Sequence, residues 1–434
     1  MDTQPIPSGH PTQQNRLVLI LILGSMTALS PFSIDMYLSS FPQMAQSLGS
    51  DVNKISMTLS SYFIGLASGQ LFYGPLMDRF GRKRPLYIGL LIFILTSIGC
   101  AYSSSLDMLI TLRFFQAVGG CSAGVASFAM VRDLFEPKES AKVLSSLILI
   151  LGVSPLLAPT LGGYISHYFG WSTVFMVLAA MAVALLTIVK QFLPESHEPD
   201  PTHILRPLPI LKNYLSILQE PQFYANALAG AVGFSALFVY LAASPIIFME
   251  IFGVTEQHYG WIFAIIAAGL ILMSQLNVVL LKKYRNEQIL LGALSALLIG
   301  SLLFFICALN GWYNLYTVIA TLFALLSCIG LSNPNSASLA MAPFSDKAGS
   351  AAALIGFLQM SIGALASLAV GVLKSQQLTP VSAIFVGTST IALVILVVGN
   401  RKILHQATPL TNPSNVITNL SKPSGNSTAS DQTT

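Results

Sequence analysis

Long apolar runs broken by short polar punctuation dominate this chain. Each run reaches about the 20 residues that a helix needs to cross a hydrocarbon core roughly 30 Å thick. Set against the turn signals between them, the runs predict twelve helical spans. The first six fall at approximately 17–40, 54–77, 84–102, 106–131, 142–165 and 171–192. The second six fall at approximately 222–249, 257–281, 288–309, 313–341, 348–373 and 381–400. A polar, proline-containing stretch from Pro194 to Pro221 separates the two sets. The expected organisation is an N-terminal tail (1–16), a six-helix bundle (17–192), a linker (193–221), a second six-helix bundle (222–400) and a tail (401–434). The last is rich in Ser, Thr, Asn and Pro and reads as disordered.

Composition agrees. Of 434 residues, 54% are hydrophobic and 9% are charged, against about a quarter charged in soluble domains. Such a chain could not cover a water-facing surface, so it reads as an all-α, polytopic membrane protein. The run after Arg16 is long for a signal-peptide core and reads as an uncleaved first helix. A net charge of +4 with dispersed bases argues against a nucleic-acid partner. Cys100, Cys121, Cys307 and Cys328 all sit in apolar runs without CxxC spacing, so neither a disulfide framework nor a metal site is expected. The absence of an HExxH pattern argues against an enzyme.

Charge also orients the chain. Of the 21 Lys and Arg, only Lys54 and Lys374 fall on one side and Arg113 lies inside a span, leaving 18 on the side of both termini. Lys and Arg accumulate in cytoplasmic loops, so both termini are expected in the cytoplasm. The halves repeat weakly as well. Ser127-Phe128-Ala129-Met130 has a counterpart in Ser338-Leu339-Ala340-Met341, and Gly69-Gln70-Leu71 in Ser274-Gln275-Leu276.

Two charges inside spans carry the candidate chemistry. An ionised group at a bilayer centre costs about 2.5–3.5 kcal/mol on insertion scales and normally faces a cavity or a partner. Asp35 shares a predicted helical face with Pro31 and Ser39. It either lines the pathway, exchanging a proton or meeting a cationic substrate, or sits solvated near the outer end of a tilted helix. Arg113 has Gln116, Gly120 and Gly124 on roughly its own face. It either locks helices together or snorkels outward, or it tunes a nearby carboxylate. Span five holds Gly152, Pro155, Pro159, Gly162 and Gly163. Glycines permit close helix approach and prolines produce a bend. Packing alone gives no reason for two prolines four apart, so a kinked interfacial helix with a sealing role is favoured. Phe32, Tyr37, Phe234 and Tyr240 are candidate cavity linings, equally compatible with lipid-facing or core positions. Between spans two and three, the segment Gly74 to Leu86 packs Asp78, Arg79, Gly81, Arg82, Lys83 and Arg84 into a short loop.

That loop resembles motif A of the major facilitator transporters. Arg113-Phe114-Phe115-Gln116-Ala117-Val118-Gly119 resembles motif B, with Ala117 where glycine is usual. Span five resembles the antiporter motif C, with Ser154 in place of the glycine before Pro155. Asp35-Met36-Tyr37-Leu38, Phe41-Pro42 and Val131-Arg132-Asp133 resemble the Bcr/CflA group of drug:proton antiporters, although Ser39 stands where that group has proline. The resemblance implies the major facilitator fold, with twelve transmembrane helices in two six-helix pseudo-repeats. It further implies that Asp78 caps span eleven while Arg82 bridges Asp78 and Asp133, closing the cytoplasmic side. Arg113 with Gln116 would take part in proton coupling, and Asp35 with Tyr37 would form the proton site or substrate contact. Gly74, Arg79 and Gly81 complete the gating motif. The glycines and prolines of span five would limit leak.

The expected function is a proton-coupled exporter of small organic molecules in a bacterial inner membrane. It would be a monomer working by alternating access, with no cofactor beyond the proton gradient. A dedicated exporter of one metabolite, such as an amino acid or siderophore, and a proton-coupled nutrient importer are the alternatives.

Overall fold

The computed structural model describes residues 13–200, 207–344, 348–373 and 377–407. Twelve long helices run through these residues: α1 (Gln13–Asp35), α2 (Met57–Phe80), α3 (Lys83–Ala101), α4 (Leu106–Leu134), α5 (Pro137–Phe169) and α6 (Trp171–Phe192), then α7 (Pro221–Pro245), α8 (Glu256–Leu280), α9 (Asn286–Leu309), α10 (Leu315–Met341), α11 (Ala348–Val372) and α12 (Leu378–Ala407). Eleven segments are apolar and long enough to cross a membrane. The exception, α2, is diluted by Ser60, Ser61, Ser68 and Gln70 and ends in Asp78-Arg79. It is buried between other helices along much of its length. The chain is a multi-pass membrane protein.

Local chemistry sets several boundaries. Ser105 starts α4, its hydroxyl accepting from the Met108 amide at 3.2 Å. Asn314 starts α10, its side chain accepting from the Thr317 amide at 2.9 Å. Gly81 joins α2 to α3 at φ +82°, a left-handed conformation that a side chain would strain.

The first span differs from its expected single helix over 17–40. The α-helix stops at Asp35, a 3-10 turn follows at Leu38–Ser40, and a short helix runs from Phe41 to Ser47. Pro31, Asp35 and Ser39 therefore do not share one continuous helical face. Span seven also changes character, passing after Pro245 into a π-helical turn at Ile246–Ile251. The linker holds a helix at Pro207–Leu218, whose Ile217 packs with Phe223 and Leu354. The expected disordered tail falls largely at 408–434, outside the described residues, as do Asp346-Lys347 and Lys374.

Packing repeats with a shift of six helices. The pairs α1–α4, α1–α5, α2–α4, α3–α4 and α3–α6 recur as α7–α10, α7–α11, α8–α10, α9–α10 and α9–α12. Between the halves, α2 lies on α11 and α5 lies on α8, and each pair maps onto the other under the same shift. The fold is therefore two six-helix pseudo-repeats meeting along α2/α11 and α5/α8.

Candidate translocation site

Both membrane charges lie towards the end opposite the chain termini, here called the far end. Arg113 is seven residues into α4, roughly 10 Å of helix rise from its far-end start. Its guanidinium is fully buried. One Nη donates to Ser33 Oγ at 3.0 Å and to Gln116 Oε1 at 2.5 Å, and the other donates to the Ser33 carbonyl at 3.1 Å. The Tyr37 and Tyr62 rings each lie 4.1 Å from the guanidinium carbon. Gln116 passes the chain on, its Nε2 donating to Ser97 Oγ at 2.7 Å. Arg113 thus caps the carbonyl end of broken helix α1, where backbone dipoles favour a cation. No carboxylate pairs with it among the described residues. Of its open roles, snorkelling is excluded, and helix locking through α1 and aromatic faces is what the geometry displays.

Asp35, the last residue of α1, is 4% exposed and the one buried carboxylate among the described residues. It forms no ion pair with Arg113. Instead it lies within Coulombic range of Tyr240 of α7 and Tyr259 of α8, both from the second half. Tyr259 shares a hydrogen bond of 2.8 Å with Ser244, whereas the buried Tyr240 hydroxyl has no partner. The solvated position open to Asp35 from sequence is therefore not the one it occupies. Its neighbour Tyr37 shares a 3.0 Å hydrogen bond with Thr58.

Helix α5 runs between the halves at this end. A Cβ on Gly162 would overlap the Met36 backbone within the first half. A Cβ on Gly163 would lie 2.6 Å from the Glu256 carbonyl oxygen of the second half. Gly260 of α8 approaches Thr160 in the same way, 2.6 Å from its Cα. Pro155 and Pro159 lie inside the uninterrupted α5, and Gly152 meets Ile271 at an ordinary 3.6 Å. Beside this contact Gln43 Nε2 donates to Glu256 Oε2 at 3.2 Å, and across the α2/α11 contact Ser60 donates to Ser367 at 3.0 Å. The far end is closed in this state.

The loop at the opposite, terminal end forms a compact ionic network. Arg82 donates to Asp78 Oδ1 at 2.6 Å and to Asp133 Oδ2 at 2.9 Å. Burial would lower the Arg82 pKa, but its hydrogen bonds to Asp133 and Asp78 outweigh this and raise it, so the bridge stays charged. The expected cap of span eleven by Asp78 falls beside residues 345–347, outside the described residues. Gly74 meets no neighbour within Cβ reach, and Arg79 lies 5.6 Å over the Phe80 ring.

Sequence reading missed the other half of this network. Glu195, just after α6, accepts from the Arg82 amide at 2.8 Å and the Lys83 amide at 3.1 Å, placing an anion at the N-terminus of α3. Ser196 donates to Asp133 at 2.9 Å. An acid three positions after the end of span six was the available signal. Ser33, Tyr62, Ser97 and Gln43 carried none. Of the aromatic candidates, Phe32 and Phe234 are half-buried, while Tyr240 is buried against Phe263 with ring centroids 5.2 Å apart.

Comparison with known proteins bears on this arrangement. The family model of the Major Facilitator Superfamily matches residues 23–367. A bicyclomycin resistance protein homolog of Haemophilus influenzae is 31% identical over 377 residues, covering 85% of this chain and 92% of the relative. The multidrug resistance protein MdtL of Shewanella oneidensis is 29% identical, covering 82% and 89%. A chloramphenicol resistance protein of Pseudomonas aeruginosa is 28% identical, covering 65% and 67%. Among solved structures, a D-xylose-proton symporter superposes with a TM-score of 0.71 at 15% identity, covering 88% of this chain and 97% of that one.

Proposed function

The chain belongs to the Major Facilitator Superfamily, and from that premise we propose that it exports small organic molecules, drugs among them, in exchange for protons. The observation that carries the reading is the near full-length likeness to relatives named for bicyclomycin and multidrug resistance. In this reading the bundles 17–192 and 222–400 rock against each other along α2/α11 and α5/α8. Both termini face the cytoplasm of a bacterial inner membrane, consistent with the distribution of Lys and Arg. The far end is then the outer face.

Asp35 is the proton-binding group. It has no ion-pair partner among the described residues and belongs to the first half, yet it interacts electrostatically with tyrosines of the second, so opening the seam would change its surroundings. Arg113 and Gln116 hold the broken end of α1, and hence Asp35 and Tyr37, in place. Phe32 and Phe234 offer apolar surface to a substrate. Asp78, Arg79, Gly81, Arg82 and Asp133, with Gly74 in the preceding turn, close the inner face, while Gly152, Pro155, Pro159, Gly162 and Gly163 belong to the helix that seals the outer one.

The test is resistance profiling across chemically unrelated compounds, combined with uptake into everted vesicles. Protection against several compounds, with accumulation dependent on an imposed proton gradient, is expected. Protection against a single metabolite would favour a dedicated exporter. Substrate moving with the proton flow would refute antiport.

A further inference from the structure

The outward-facing side of α2, α3 and α4 carries a groove of about 680 Å³. Phe72 and Leu76 of α2, Ile88 and Ile92 of α3 and Phe115 of α4 line it, with Arg84 at its terminal end. Phe72, Ile88 and Phe115 are exposed, so the groove opens away from the seam between the halves. Its Ser68 hydroxyl is already committed to the Ile64 carbonyl at 2.9 Å.

Arg84 is the base that the terminal-end network leaves over. Arg82 bridges Asp78 and Asp133, and Lys83 donates to the Leu193 carbonyl at 2.6 Å. Arg84 is exposed and has no carboxylate within ion-pair distance among the described residues. From Arg84 to Ile92 α3 rises roughly 12 Å. That is most of one leaflet's share of a hydrocarbon core about 30 Å thick. A base at interface height above an apolar channel of leaflet depth matches a phosphate above an acyl chain. It fits neither a soluble anion, which has no use for the channel, nor a protein segment, whose backbone amides the channel could not satisfy.

We propose that this groove binds one anionic phospholipid, its acyl chain along α3 and its phosphate on Arg84. The lipid would brace the loop between α2 and α3 from the membrane side, opposite the strap formed by Glu195 and Ser196.

Native mass spectrometry of the detergent-purified full chain, titrated with phosphatidylglycerol or phosphatidylcholine, tests this. The wild type is expected to retain phosphatidylglycerol preferentially. Arg84→Gln should weaken that binding by about five-fold, the factor contributed by one base near a membrane surface, and should remove the preference. Arg84→Lys should keep it. Ser68→Phe, which fills the groove, should weaken binding of both lipids. Wild-type retention by Arg84→Gln and Ser68→Phe alike would overturn the proposal. So would displacement of the lipid by inorganic phosphate alone or by a transported drug, which would assign the groove to a free anion or to substrate entry. Should Arg84→Gln not yield folded protein, Arg84→Lys and Ser68→Phe decide the matter.

Discussion

Adding one methyl group to three glycines of α5 should give three different outcomes. A Cβ at Gly163 would lie 2.6 Å from the Glu256 carbonyl oxygen and 3.1 Å from its carbon, across the seam between the halves. Ordinary van der Waals contact begins near 3.4 Å, and the obstacle is backbone, which cannot rotate aside. The seam must widen by several tenths of an ångström, at the ~1–3 kcal/mol typical of overpacking. That penalty falls on the state closed at the far end alone, because the contact exists only while the halves meet. Gly163→Ala should therefore shift the closed-to-open ratio by roughly 5–150-fold. Gly162→Ala meets the Met36 backbone inside the first half, so it should lower thermal stability without moving that ratio. Gly152→Ala has its nearest neighbour, Ile271, at 3.6 Å. It should be neutral, or stabilising by the ~0.5–1 kcal/mol that alanine gains over glycine in a helix. The assay is maleimide labelling of Ser60→Cys, buried at the seam, in a background with Cys100, Cys121, Cys307 and Cys328 replaced by Ala. Labelling should accelerate with Gly163→Ala and stay at the parent rate with the other two. Equal acceleration by all three, or none with Gly163→Ala, would refute the argument.

Four further substitutions probe the proposed roles. Asp35→Asn should abolish proton-driven export while preserving gradient-independent exchange of labelled for unlabelled substrate; undiminished gradient-driven accumulation would remove Asp35 from coupling. Arg113→Lys cannot reproduce the fork that reaches Ser33 Oγ, the Ser33 carbonyl and Gln116. With charge-assisted bonds contributing ~1.5–3 kcal/mol each, it should lower both melting temperature and coupled transport, and wild-type values for both would contradict the anchoring role. Asp78→Asn and Glu195→Gln should each reduce the maximal transport rate at unchanged half-saturation, as expected of a conformational latch; a loss confined to affinity would argue for a substrate-binding role instead.

Much of the architecture was legible because the bilayer imposes it. Span length and the one-sided distribution of bases are one-dimensional signals, and even α2, the least apolar span, is fixed by its place between clearer neighbours. The Arg113–Gln116 pair was legible too, since i, i+3 spacing survives in any intact helix. What failed was continuity. The face shared by Pro31, Asp35 and Ser39 assumed a helix that stops at Asp35, and at that stop the Ser33 carbonyl accepts from Arg113, eighty positions away. Tyr62 and Ser97 belong to the site only because α2 and α3 pack on α4. Glu195 was read as linker because its partners are backbone amides, which carry no side-chain identity to match.

The separation of the two membrane charges constrains the coupling more than either charge alone. Arg113 bonds within α1 and α4, and its aromatic neighbours Tyr37, Tyr62 and Phe175 also lie in the first half. Rocking of the halves leaves that shell intact. Asp35 is on the same broken helix, yet its described electrostatic neighbours, Tyr240 and Tyr259, belong to the second half. The same motion replaces them. A group whose surroundings are constant across the cycle cannot alternate between binding and releasing a proton, whereas one whose surroundings change can. On the proposed antiport, the base would therefore act as the fixed mount and the acid as the moving contact. The proposed coupling would then depend on α1 remaining broken at Asp35, which sets the acid at the end of the helix instead of within it.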